Sequence, residues 1–368
     1  MMHVEKYLQI NYKYLLRSTL MKIKQIVWIV LIIFIFLNMS ACSKRIERVT
    51  FKDGYPDLKG RHIVVYVASR DEIGSAILEL FKEKTGCTYE YLKMSTQESL
   101  ARIRSERKNP KSDIFIGGTC DVHVLMKKEN LSEKYISKNY YSIPDRYKDK
   151  DGYWIGFEAS PLSIVINKNR WDKEFSCKGL EMPKTYDDLL NPIYKGEIVI
   201  SDPNTSGTAY TMLASLTQSM GVDKVKEFFK KVKANVGEFT TNGYTPGQKV
   251  ATGEYLIGIN FLSDQLLIED SGFNVVTNVP KNSGWSIDAI SKIKNGPNGD
   301  IGKYFIDFCT DKEVEETLNN ISFAMSTRQD TKGIRGIKLD ELDIYKDYNF
   351  SKASNDREWL INMWNDLN

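Results

Sequence analysis

Three small residues, Ser206-Gly207-Thr208, stand between the apolar run "EIVI" and a stretch with apolar residues at Ala209, Met212, Leu213, Leu216 and Met220, closed by Gly221. That spacing predicts a helix beginning at the triplet. The first N–H groups of a helix have no internal partner, and the aligned peptide dipoles add partial positive charge there, so the triplet offers donors to an anion. The Ser206 and Thr208 hydroxyls would supplement those donors, and Gly207 lets a ligand approach the backbone closely. The same pattern also reads as an ordinary N-cap at Thr205 or Ser206, favoured whether or not anything binds.

Similar groups recur after other apolar runs. Ser69-Arg70 follows "HIVVYVA", Gly117-Gly118-Thr119 follows "DIFI", and Thr245-Pro246 opens "PGQKVATGE" with proline at the start of a helix. Each alone is a cap or a turn. Together they describe a cleft lined from several strand ends, where open α/β sheets bind ligands. Arg70 is the charged group best suited to a phosphate or phosphonate, because its planar fork donates two parallel hydrogen bonds; a surface arginine is the bland alternative. Glu158 and Ser160 serve either a ligand or a hinge. Trp154, Tyr244 and Trp285 are candidate walls of the cleft or members of the core.

Catalytic and metal chemistry find little support. Beyond residue 41 the only histidines are His62 and His123, and no GxSxG, HExxH or CxxC pattern occurs. Cys120-x-x-His123 has ligand spacing on a helix face, but two ligands do not close a zinc site. No cofactor and no catalytic residue is expected. Five of the 51 basic residues and one of the 48 acidic residues lie in the first 41 positions, so the remainder carries one more acid than base. That balance is no nucleic-acid signature, and no nucleic-acid partner is expected. Cys87, Cys120, Cys177 and Cys309 are widely separated and assign no disulfide pairing.

The elements that must position these groups follow from periodicity. The first 41 residues read as a signal peptide with a start at Met21: lysines, an apolar stretch from Ile26 to Leu37, then small residues before Cys42. Twelve apolar residues fall short of the roughly 20 that span a bilayer as a helix. Met39-Ser40-Ala41-Cys42 resembles a bacterial lipobox, which places lipid on Cys42 and makes residues 42–60 a polar tether to the membrane. From Arg61 on, strand and helix patterns alternate, as in "HIVVYVA" before "DEIGSAILELFKEKTG" and "SDIFIGGT" before "DVHVLMKKENL". Alternation of this kind predicts an α/β architecture with largely parallel sheets. Two long extended stretches, "GYWIGFEASPLSIVINKNRW" and "FNVVTNVPKNSGWSIDAISKI", are the crossovers between two lobes.

The order of "VYVASRDE", "DIFIGGTCDVHVLMKKENL", "GYWIGFEASPLSIVINKNRW", "ISDPNTSGTAYTMLASL" and "VATGEYLIGINFLSDQL" resembles the type II extracellular solute-binding proteins of ABC importers. It is similar in particular to a branch whose members take ferric iron, phosphorylated sugars or 2-aminoethylphosphonate. The resemblance covers Arg61 to about Asp330. It implies a type II periplasmic-binding-protein fold in which two α/β lobes, residues 61–158 with 277–368 and residues 159–276, are joined by a hinge and close on one solute. A permease and an ATPase are the implied partners, and the protein would act as a lipid-anchored, extracytoplasmic monomer. Ferric members place adjacent tyrosines after the strand equivalent to "YLIGIN", where this chain has Phe261-Leu262-Ser263-Asp264; Phe and Leu give Fe(III) no oxygen donors. The segment resembles instead the phosphorylated-solute members, in which Asp264 would meet sugar hydroxyls or an ammonium group. A small anionic solute held by Ser69, Arg70, Gly118, Thr119, Glu158, Ser206, Gly207, Thr208, Tyr244 and Asp264 is the resulting expectation, with ferric iron as the alternative ligand and a membrane-tethered enzyme as the more distant one.

Overall fold

β-Branched runs bounded by turn residues become strands, and each of the first two is followed by an amphipathic helix. Strand β1 (His62–Ala68) leads to α1 (Asp71–Thr85), whose buried stripe includes Ile73, Ile77, Leu78 and Phe81 and which ends at Gly86 with φ 75°. That left-handed cap is one glycine adopts without strain. Strand β2 (Thr88–Lys93) precedes α2 (Thr96–Ser105), and β3 (Ile114–Thr119) runs directly into α3 (Cys120–Lys128). The computed structural model describes residues 49–367, together with Met21. The rest of the signal-peptide stretch, Cys42 and tether residues 43–48 lie outside the described residues. Among the described residues no helix is long and apolar enough to cross a membrane.

The first crossover stretch forms strand β4 (Ile155–Asn167), buried at every position. After it come β5 (Ile198–Ser201), α4 (Gly207–Met220), α5 (Val222–Lys233), β6 (Val236–Thr240), α6 (Thr245–Ala251), β7 (Ile257–Phe261) and α7 (Leu262–Asp270). The second crossover stretch supplies β8 (Val275–Asn278) and β9 (Trp285–Ile293). In space the main path of strands runs β2-β1-β3-β9-β4-β7-β5-β6. Parallel pairing holds β1 to β2 and β3, and β5 to β6 and β7, while β9 and β4 are antiparallel to their neighbours. Two parallel α/β halves therefore meet on β4.

The partner of β4 changes in mid-strand. Residues Ile155 to Pro161 face β9, and residues from Leu162 onward face β7 and β8. Pro161 has no N–H to contribute to a ladder, so the sheet divides where a ladder bond is missing anyway. Each half has its own core. Tyr66, Leu100, Phe115, Val122 and Met126 cluster in the first, and Val165, Val199, Val250, Ile268 and Val275 in the second. Burying each such side chain contributes about 1.5–3 kcal/mol.

Helices α8 (Ile301–Cys309) and α9 (Lys312–Ser322) return to the first half, where Phe305 and Phe308 pack edge-on against Phe81 of α1. The last two helices, α10 (Phe350–Asn355) and α11 (Arg357–Asn365), touch both halves. Arg357 forms a buried ion pair with Asp121 of α3 and lies 3.9 Å over the Tyr210 ring of α4. Trp364 packs edge-on against Phe229 of α5 with ring centres 5.3 Å apart, and Lys233 donates to the Trp364 and Leu367 carbonyls. The sequence division groups these helices with the first lobe; α10 packs mainly on α3 of that lobe, and both helices also reach α4 of the other half.

Candidate functional site

A cavity of about 520 Å³ lies where the two halves face each other. Residues from the first turns or caps of six helices line it: Arg70 and Glu72 of α1, Ser95 and Thr96 of α2, Thr119 of α3, Thr208 of α4, Tyr244 and Thr245 of α6, and Ser263 and Asp264 of α7. The starts of six helices thus border one volume, and the positive ends of helix dipoles favour an anion.

Of the residues expected from sequence, the structure brings Ser69, Arg70, Gly118, Thr119, Glu158, Thr208, Tyr244 and Asp264 to the wall of this cavity. Ser206 and Gly207 do not line it. The Ser206 hydroxyl caps α4 by accepting from the Ala209 N–H at 3.4 Å. Gly207 faces the other half of the molecule: a Cβ added there would stand 2.6 Å from Thr119 Oγ1 and 2.8 Å from Thr96 Oγ1. Close approach of the two halves is therefore what this glycine permits. Trp285 is a core residue, donating its indole N–H to the Tyr345 carbonyl at 3.0 Å and packing on Phe350. His123 is buried with both ring nitrogens engaged, by the Gly117 carbonyl and the Ser291 hydroxyl, each at 2.8 Å, which removes it as a metal ligand. Among the described residues no group of three or more His, Cys, Asp and Glu side chains is placed to share a metal ion.

Arg70 is 5% exposed. Nη2 donates to the Ser322 carbonyl at the end of α9 at 2.7 Å, and Nε stands 3.2 Å from Asp264 Oδ1 without the alignment of a hydrogen bond. Nη1 is buried and has no partner. The guanidinium also lies 5.5 Å over the Tyr244 ring. A buried donor without an acceptor costs about 1–3 kcal/mol, more when charged, so Arg70 is set to gain from an incoming oxyanion.

Carboxyls surround the Arg70 guanidinium. Glu158 accepts from the Ser322 hydroxyl, and Asp264 accepts from the Asn260 amide at 3.4 Å. Burial pushes Glu158 up to about 7, against the opposing effect of the Ser322 hydrogen bond and Arg70. Asp264 is likewise raised by burial, with Arg70 opposing. Asp288, which sequence reasoning missed, lines the same floor and is held well above the ordinary carboxyl range by burial and by its acidic neighbours. The Ser95-x-x-Glu98 capping box of α2 was also missed, although its S/T-x-x-E signature is legible as "STQE".

A two-lobed α/β fold with its ligand cavity between the lobes, at the ends of parallel strands, is the type II periplasmic-binding-protein architecture. The chain belongs to the family of bacterial extracellular solute-binding proteins, whose model matches residues 109–340, and it is the substrate-binding component of an ABC importer. An uncharacterized protein of Haemophilus influenzae is 30% identical over 337 residues, 89% of this chain and 96% of that protein. The periplasmic binding protein AfuA of Actinobacillus pleuropneumoniae, solved with fructose 6-phosphate bound, superposes with a TM-score of 0.78 at 31% identity, over 84% of this chain and 98% of that one. A periplasmic protein of Salmonella typhimurium named for binding 2-aminoethylphosphonate is 23% identical over 261 residues, 68% of this chain and 73% of that protein.

Proposed function

We propose that the protein captures a small phosphorylated or phosphonate solute, holding its anionic group at Arg70 and the converging helix N-termini and its other end at Glu158 and Asp264. The observation that carries this reading is the buried, partly unpartnered Arg70 guanidinium in a cavity faced by six helix starts. The presence of fructose 6-phosphate in AfuA and the name of the Salmonella relative agree with it. Ser69, Gly118 and Thr119 approach the anion from one half and Thr208 and Tyr244 from the other, so that the solute bridges them and favours the closed arrangement. The solute is released unchanged to a permease driven by an ATPase. Cys42, modified with lipid, would keep the monomer at the outer face of the membrane.

Calorimetric titration with fructose 6-phosphate and with fructose tests the anion assignment. The phosphate ester should bind and fructose should bind far more weakly. Thr208→Val removes one hydroxyl donor to a charged group, worth about 1.5–3 kcal/mol, and should weaken phosphate binding roughly tenfold to hundredfold. Equal affinity for fructose would sink the reading, as would conversion of the ester during incubation. Mass spectrometry of the copurified solute then names the natural ligand.

A further inference from the structure

Asp288 lines the cavity from β9. In the sheet its Cα pairs with Glu158 on one side and with Thr119 on the other, and all three residues line the cavity. Side chains of directly opposed strand residues stand about 4.5–5.5 Å apart at Cβ on one sheet face, so the two carboxyls are neighbours by register rather than by chance. Arg70 and Glu72 face the cavity from α1, Lys93 from the end of β2, Glu98 from α2 and Asp264 from α7. Ser322, at the end of α9, donates to Glu158. Glu315 accepts from the Ser326 hydroxyl, and burial holds it well above the ordinary carboxyl range. Glu158, Asp264 and Asp288 therefore share one guanidinium, and a solute phosphate would compete for that same cation.

Resting on the phosphorylated-solute reading above, we propose that Asp288 is a specificity-determining residue that acts as a pair with Glu158: the two carboxyls hold one proton between them and present one donor and one acceptor to the non-phosphate end of the solute. Two neighbouring carboxylates cannot both ionise cheaply, which is the ordinary behaviour of acid dyads. The upward displacement of both groups by burial agrees with this. The proton comes from water when the pair starts fully ionised, so capture takes up a proton above neutral pH. A singly protonated pair suits a hydroxyl, which both donates and accepts. A doubly ionised pair would suit only donors.

The test is the affinity of the full chain for fructose 6-phosphate from about pH 7.5 to about pH 8.5, where the phosphate ester is already doubly ionised. Calorimetry in two buffers of different ionisation enthalpy counts the protons taken up. Wild type should weaken about tenfold per pH unit across this range, the limit for one linked proton. Asp288→Asn supplies a permanent donor and removes the carboxyl paired with Glu158 in the sheet, leaving Asp264 as its acidic neighbour, so the slope should be lost; Glu158→Gln should behave alike, and melting temperatures check that both variants fold. A flat wild-type profile, or a slope retained in both variants, overturns the pair. If fructose 6-phosphate does not bind to wild type, the functional reading fails separately, and carboxyl carbon NMR titration of the free chain judges the pair. One carboxyl titrating near neutrality and absent in Asp288→Asn supports it, whereas both titrating near the ordinary value of about 4 refutes it.

Discussion

Replacing Gly207 by alanine should hold the two halves apart while leaving each of them intact. Alanine is the better residue within a helix by about 0.5–1 kcal/mol, so α4 itself has no reason to weaken. The added methyl, however, would stand 2.6 Å from Thr119 Oγ1 and 2.8 Å from Thr119 Cγ2 and Thr96 Oγ1, all three atoms belonging to the opposite half. Both threonines are buried and β-branched, with little rotamer freedom to retreat. Overpacking of this kind costs about 1–3 kcal/mol. Because the clash exists only when the halves are together, that energy is charged to closure alone and should weaken solute affinity by roughly 5-fold to 150-fold. Calorimetry with fructose 6-phosphate gives the affinity, small-angle scattering gives the closed fraction with and without ligand, and thermal melting gives the fold. A variant that binds within twofold of wild type and closes fully would refute the reasoning. So would a sharp fall in melting temperature, which would assign Gly207 to folding instead.

Arg70→Met should weaken binding of fructose 6-phosphate at least a hundredfold, since it removes charge-assisted hydrogen bonds worth about 1.5–3 kcal/mol each. It should also change the pH dependence of stability: Arg70 opposes the rise of Glu158 and Asp264, so without it their folded values climb further above the unfolded value of about 4. The folded state then binds protons over a wider range, stability falls as pH rises through it, and the deficit in melting temperature against wild type should be larger at about pH 8 than at about pH 5. An equal deficit at both would contradict the electrostatic account. Mass measurement of the native N-terminus should find diacylglycerol on Cys42, and an unmodified chain retaining residues 21–41 would remove the anchor.

Much of this arrangement is legible before any coordinates. The alternation from "HIVVYVA" to "DEIGSAILELFKEKTG" gives β1 and α1 with Gly86 at the turn, and the long apolar stretch around Glu158 becomes the strand both halves share. Residues at or beyond strand ends, such as Arg70, Thr119 and Thr208, reach the cavity because helix starts must lie there in a parallel sheet. Ser206 and Gly207 show the limit of the rule: a residue at a helix start can cap the helix or touch another element instead of a ligand, and spacing does not separate these fates. Asp288 lay beyond reach for a different reason. In "WSIDAISKI" it is one polar residue in a strand pattern, and only the antiparallel register against β4 sets it opposite Glu158. The joint packing of α10 and α11 on both halves depends on tertiary fit in the same way.

That joint packing bears on the order in which the molecule can be assembled. Arg357 and Trp364 follow every strand of both halves in the chain, yet they supply the partner for Asp121 and the ring against Phe229. A polypeptide emerging amino end first displays an uncompensated acid on α3 and an apolar face on α5 until those two side chains arrive. Burying Asp121 without Arg357 carries a desolvation penalty, and α5 lacks one packing contact, until α11 is in place. The contacts that join α3 and α5 to the rest of the fold are thus completed by the last residues of the chain.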